Sequence, residues 1–211
     1  MKKLTILIFS ILFTISTTAF AGGMIGVKYG NGDLEGNAQS YTAGATSYAA
    51  ESGSKDNEFG AIFAEVNLKE SPISVGLEYV PFDADISLNG DASGVSANVS
   101  DYTTLYALAM HELNEVSVYA KLGYSMADIG TVKNGDGQTT INSNSSSLEG
   151  IMYGVGVQSK ELAMGIVARA EYTFTEFDDI SVTTTSNGST SVKKTADGDL
   201  TTLTVSLSKS F

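Results

Sequence analysis

The chain has 211 residues, no cysteine, and 24 acidic against 12 basic side chains, a formal net charge of −12. Without cysteine there are no disulfides and no thiolate chemistry. The acidic balance disfavours nucleic acid as a partner.

Met1-Lys2-Lys3 is a short basic start, Leu4 to Thr18 is an apolar run, and Ala19-Phe20-Ala21 is an A-x-A cleavage pattern. The run is too short for a membrane anchor, so residues 1–21 are expected to be a secretory signal peptide. Its removal leaves about 190 residues, enough for one domain, here 22–211. Losing Lys2 and Lys3 moves the net charge from −12 to −14.

The mature chain alternates with a period of two, which is a strand signal, and shows no long helical period. In the first segment, Met24 to Asn31, Ile25, Val27 and Tyr29 oppose Lys28. A polar stretch from Gly32 to Asn57 reads as a long connector. In Glu58 to Leu68, Ile62, Ala64, Val66 and Leu68 oppose Phe59, Phe63, Glu65 and Asn67. After the short turn Lys69-Glu70-Ser71, Ile73, Val75, Leu77 and Tyr79 oppose Ser74, Gly76 and Glu78. Asp83 to Ser100 is again long and polar. In Asp101 to His111 both faces are partly apolar. Tyr102, Tyr106, Leu108 and Met110, read as outward, oppose Thr103, Leu105, Ala107, Ala109 and His111.

After the short Glu112 to Glu115, Val116, Val118, Leu122, Tyr124 and Met126 oppose Ser117, Tyr119, Lys121 and Ser125. Asp128 to Ser147 is long. Then Ile151, Tyr153, Val155 and Val157 oppose Gly150, Met152, Gly154 and Gly156. Gln158 to Glu161 is short. Met164, Ile166, Ala168, Ala170, Tyr172 and Phe174 next oppose Gly165, Val167, Arg169, Glu171 and Thr173. Glu176 to Gly198 reads as long. In the eighth segment, Asp199 to Phe211, Leu203, Val205, Leu207 and Phe211 oppose Thr202, Thr204, Ser206, Ser208 and Ser210.

Eight segments with connectors alternating long and short match a transmembrane barrel with short turns at one rim and long loops at the other. Apart from Lys209, which can snorkel at a rim, the outward faces carry no charge across the span. Lys28, Glu65, Glu78, Lys121, Arg169 and Glu171 all have inward parity, three of each sign. A secreted soluble barrel of the lipocalin type would show the reverse, an apolar lumen and a charged exterior. Tyr29, Tyr79, Tyr102, Tyr124, Tyr172 and Phe174 are placed in an outer aromatic girdle.

The closing strand, with its terminal Phe211, resembles that of outer-membrane β-barrels, in which it also serves as an assembly signal. Lys209 stands where that family usually has an apolar residue. As a whole the mature chain is similar to the small eight-stranded barrels: the transmembrane domain of outer membrane protein A, outer membrane protein X and the opacity adhesins. The resemblance implies an all-β, antiparallel, up-and-down transmembrane barrel in a Gram-negative outer membrane, both termini periplasmic. It implies contacts with membrane lipid and lipopolysaccharide, assembly by periplasmic chaperones and the barrel-assembly machinery, and a monomer. In outer membrane protein A inward charges fill the lumen as a salt-bridge cluster. Lys28, Glu65, Glu78, Lys121, Arg169 and Glu171 look like its equivalent. No peptidoglycan-binding domain is expected after Phe211.

Counting from the short turns puts Lys28, Glu65, Glu78 and Lys121 at similar heights, with Arg169 and Glu171 higher. Gly150, Gly154 and Gly156 would leave room for their long side chains. Phe59, Phe63, Tyr119 and Met152 share the interior.

The sole histidine, His111, falls at the short-turn end, away from the acidic connectors, so no catalytic constellation is expected. Asn134-Gly135-Asp136-Gly137 lacks the spaced acids of a calcium loop and reads as a turn. Glu176, Asp178, Asp179, Asp197 and Asp199 read as a solvated acidic rim. No cofactor or metal is expected. Two functions remain: a structural and surface-interaction protein with a side-chain-filled lumen, displaying loops to an unknown extracellular ligand, and transport, as a small porin or a narrow channel for ions or small solutes. Ile180 to Ser186 and Thr190 to Thr195, flanking Asn187-Gly188, are expected to pair as a hairpin above the membrane, and Ile86 to Leu88 to pair with Val95 to Val99.

Overall fold

The computed structural model describes residues 20–43, 46–81, 83–88, 95–130, 133–134, 140–143, 147–186 and 190–211. The expected signal segment therefore lies outside the described residues, except that the first strand already begins at Phe20.

Eight long strands form the wall. They are β1 (Phe20–Ala38), β2 (Glu51–Leu68), β3 (Ile73–Val80), β4 (Val95–Glu112), β5 (Val116–Ile129), β6 (Ser147–Ser159), β7 (Ile166–Ser186) and β8 (Thr190–Ser210). Each pairs antiparallel with the next. The β1–β8 ladder, from Met24↔Ser210 to Ala38↔Ala196, closes the sheet on itself. Closure removes the free edges that would otherwise invite aggregation.

The two faces have opposite chemistry. Outside, Val27, Leu122, Val155 and Leu203 are 60–63% exposed. Inside, Thr202, Thr204, Ser206 and Ser208 on β8 are buried, as are the six charged residues. In water this would bury polarity and expose oil. Against lipid it is the stable arrangement. The soluble-barrel alternative is thereby set aside.

Several strands run far past the ~9–11 residues needed to cross the hydrocarbon. The stretches read as long loops at 32–57 and 176–198 are mostly ladder. β1 and β2 stay paired to Ala38↔Glu51, and β7 and β8 to Ser186↔Thr190. Beyond the membrane the outer face of a strand meets water, so no apolar alternation marks it. The turn at 187–189 lies outside the described residues, but the flanking residues pair as expected. So do Leu88 and Val95, in a short strand (Ala84–Leu88) that continues the line of β3 beyond Pro81. Proline has no N–H for the ladder, which accounts for the break. Asn89 to Gly94 lie outside the described residues.

One face assignment is corrected. In β4, Tyr106 and Leu108 are buried and Tyr102 turns in to bond Ser125, while Leu105 is exposed on the lipid side. Tyr102 is thus no member of the girdle. The β4–β5 register shifts between Ser100 and Thr103, and Asp101 takes a left-handed φ of 54°. Such a bulge re-aims the side chains around it. With apolar residues on both faces, periodicity alone could not choose between them.

The outer girdle also includes Tyr153, which packs 5.3 Å from Phe174. Three girdle tyrosines donate to acids just above them: Tyr29 to Glu58 at 2.7 Å, Tyr79 to Asp101 at 2.7 Å and Tyr124 to Glu149 at 2.5 Å. Each ring stays in the apolar band while its hydroxyl is satisfied at the wet edge.

A closed barrel of this kind should resist detergent until boiled. Unboiled and boiled samples are expected to migrate differently on gels. Identical migration would contradict the closure between β1 and β8.

Candidate functional site

The lumen is crossed by charge. Lys28 projects inward from β1, Glu65 from β2, Glu78 from β3, Lys121 from β5, and Arg169 and Glu171 from β7. All six are 8% exposed or less. Inward parity in a narrow barrel leaves their long side chains only one another to meet.

The structure sorts them into two groups. Lys28 Nζ donates to Glu78 Oε2 at 2.5 Å and to Glu171 Oε1 at 2.6 Å. Lys121 Nζ donates to the same two oxygens at 3.1 and 3.0 Å. These four make a closed, neutral square. Beside it, Arg169 grips Glu65 with both arms: Nη1 to Oε2 at 2.8 Å and Nη2 to Oε1 at 2.9 Å. The fork geometry of guanidinium on carboxylate is the strongest form of such a pair. Gln158 on β6 accepts from Arg169 Nε at 2.5 Å.

Two tyrosines join the groups. Tyr106 donates to Glu65 at 3.2 Å and Tyr119 to Glu171 at 3.0 Å. Lys121 Nζ also sits 4.0 Å from the centre of the Tyr106 ring, and the Arg169 guanidinium 5.3 Å from that of Tyr119. Both are cation–π distances. Buried charge is tolerable only when paired and hydrogen-bonded in this way.

The glycines serve the rings rather than the charges. A Cβ on Gly156 would collide with the Tyr119 ring, and one on Gly76 with Tyr106. Gly154 faces Thr173 and Gly150 faces Phe177. The expectation that Gly150, Gly154 and Gly156 make space for the lysine and arginine chains is therefore corrected. Each of the two tyrosines lies across a glycine of the adjacent strand, a recurring packing device in sheets.

Heights are corrected as well. Lys28 is level with Ala61 on β2, four residues beyond Glu65 toward the long connectors. Along the ladder, Lys28 aligns with Ser206 and, through it, with Arg169, yet it bonds Glu171. Strands in such a barrel tilt by about 35–45°, so distance from a turn is not height along the axis. Glu65 therefore meets Arg169 across the lumen. Tyr106 and Gln158 escaped the sequence reading as members of the network. An inward tyrosine opposite an inward glycine is the signal that would have found Tyr106.

The remaining candidates are dispersed. His111 is exposed at the short-turn end of β4, with outward parity. Phe211 is exposed, and its backbone exchanges two hydrogen bonds of 3.0 Å with Gly23, holding the end of β8 to β1. Lys209 Nζ donates to the Met164 carbonyl at the rim. Glu176 and Asp199 stand opposite each other across the β7–β8 ladder. Asn134 pairs with Val95, and residues 135–137 lie outside the described residues.

No protein-family model matches the sequence, and a search of curated proteins finds no match. Solved structures do match. The outer membrane protease OmpT of Escherichia coli superposes with a TM-score of 0.56 at 12% identity, over 94% of this chain and 99% of that one. Ail, the attachment invasion locus protein of Yersinia pestis, solved with the heparin analogue sucrose octasulfate, gives 0.48 at 14%, over 90% and 99%. Neisserial surface protein A gives 0.44 at 12%, over 85% and 95%. The likeness to OmpT is one of fold. By its ladder and the polarity of its two faces, the chain is an eight-stranded antiparallel β-barrel with the fold of an outer-membrane barrel.

Proposed function

We propose that this is a surface protein of a Gram-negative outer membrane, with a lumen plugged by Lys28, Glu65, Glu78, Lys121, Arg169 and Glu171. The observation that carries the reading is the neutral, mutually bonded network spanning the barrel interior. An interior so filled stabilises the wall and conducts nothing at rest. The working parts are then the long strands and connectors that rise beyond the girdle, which offer surface to an extracellular ligand. Envelope integrity and adhesion both fit that display.

The rest of the proposal follows from the barrel. Eight strands put both termini on one side, the periplasmic side for a secreted chain. Membrane lipid and lipopolysaccharide surround the apolar band of a monomer. Phe211 is the feature read by the assembly machinery after periplasmic chaperones deliver the chain. The reading is non-enzymatic: OmpT is a protease, but here the sole histidine, His111, lies at the short-turn end on the outer face.

Planar bilayers test the plug. The wild-type protein is expected to show little conductance. Steady, large, single-level channels would overturn the plugged reading and favour the alternative, a small porin. The processing claim has its own check. Protein taken from outer membranes should begin at Gly22 on N-terminal sequencing, and a mature chain that retains Met1 would refute the signal peptide.

A further inference from the structure

Above the charge network, toward the long connectors, the lumen is not filled. A cavity of about 120 Å³ lies there. Its lining comes from all eight strands and is mostly apolar, with Leu34, Phe59, Val80, Leu148, Phe177 and Leu200 among the walls. Its floor is the network itself, through Glu78, Lys121 and Glu171. An apolar chamber closed at one end by a few convergent polar groups is the usual form of a small-molecule site.

The floor is asymmetric in what it still offers. Lys121 Nζ donates to two carboxylates and sits 4.0 Å from the centre of the Tyr106 ring, and Glu171 accepts on both oxygens, from the two lysines and from Tyr119. Glu78 accepts both of its hydrogen bonds on Oε2. Its Oε1 has no hydrogen-bond partner among the described residues, although Glu78 is only 7% exposed and borders the cavity. The open carboxylate oxygen on the floor is thus an acceptor that carries negative charge. It would bond a donor and repel an anion.

We propose that this cavity is a binding site for a small amphiphile with an apolar body and a hydrogen-bond-donating head, a hydroxyl or an ammonium, with the head on Glu78 Oε1. The apolar walls take the body out of water. The head supplies the hydrogen bond that Oε1 lacks, a charge-assisted bond in a dry setting. A carboxylate or phosphate head is disfavoured, because it would meet Glu78 and Glu171, whose charges already balance those of Lys28 and Lys121. The site does not depend on the surface-display reading, since it needs only the cavity and its floor.

Met152 lines the cavity, whereas Met164 is exposed at the short-turn rim, so methionine methyl groups report both places. The protein, labelled with ¹³C at the methionine methyls and embedded in lipid nanodiscs, would be titrated with 1-octanol, octylamine and octanoate. The Met152 signal is expected to shift and saturate with the alcohol and the amine. For octanoate half-saturation should lie at least roughly tenfold higher, the cost of losing a bond to a charged group. Any shift of Met164 reports only partition into lipid and should not saturate in step. Leu200→Trp, which fills the chamber without touching the network, should abolish the saturable shift while leaving heat-modifiable migration intact. Equal binding of octanoate, or a Met152 response that never saturates with any of the three, would overturn the proposal on the wild type alone. So would a folded Leu200→Trp protein that still responds.

Discussion

Arg169→Ala should destabilise the barrel by about 3–5 kcal/mol, the cost of leaving a buried charge without its partner. The stranded group is Glu65, whose side chain is fully buried and held by both arms of the guanidinium. After the substitution only the Tyr106 hydroxyl would still donate to it. Gln158 would lose its contact with Arg169 Nε at the same time. Unfolding by denaturant in lipid vesicles, followed by gel mobility, measures the loss. Arg169→Lys should fall between wild type and Arg169→Ala, because a lysine keeps the charge but not the fork. The double variant Arg169→Met with Glu65→Leu removes both charges and should recover most of the stability, since a neutral pair of similar bulk leaves nothing unpaired. A single Arg169→Ala variant as stable as wild type would mean that the pair contributes nothing to the packing.

Val205→Arg tests the outer face. Val205 is the middle of three exposed apolar residues on β8, between Leu203 and Leu207, and lies opposite Tyr29 and Ala170 on the neighbouring strands. Lys209 marks the wet rim below. A cation placed at the bilayer midplane of a barrel costs about 2–4 kcal/mol and falls to about 0–1 near an interface. The expected outcome is a loss in that range for Val205→Arg, against little change for Lys209→Arg. The same vesicle unfolding assay reads both. If Val205→Arg is neutral while the protein remains folded, the face it stands on does not meet lipid.

The sequence alone determined the strand count, the polarity of seven of the eight strands and the membership of the six-charge set. Each follows from one local rule: successive side chains on a strand point to opposite faces, and lipid rejects charge. A residue such as Lys28 between Val27 and Tyr29 declares its side of the wall without reference to anything distant. Local alternation failed at β4, where Leu105 and Leu108 are equally apolar and the register with β3, Leu105 opposite Leu77 and Leu108 opposite Ser74, sets which one faces inward. It failed again beyond the girdle, where a solvated outer face leaves the paired stretches 32–38 and 51–57 unmarked by an apolar alternation.

Partnership within the lumen was decided by tertiary structure alone. Strand tilt and stagger are properties of the closed barrel as a whole, and they carry Arg169 to Glu65 and Lys28 to Glu171 across large separations in sequence. The same closure leaves the chamber above Glu78, because Gly32 and the rings of Phe59 and Phe177 come to border it only once β1, β2 and β7 share one interior. A period of two assigns each residue a face, but the distance across a barrel depends on how all eight strands are inclined together.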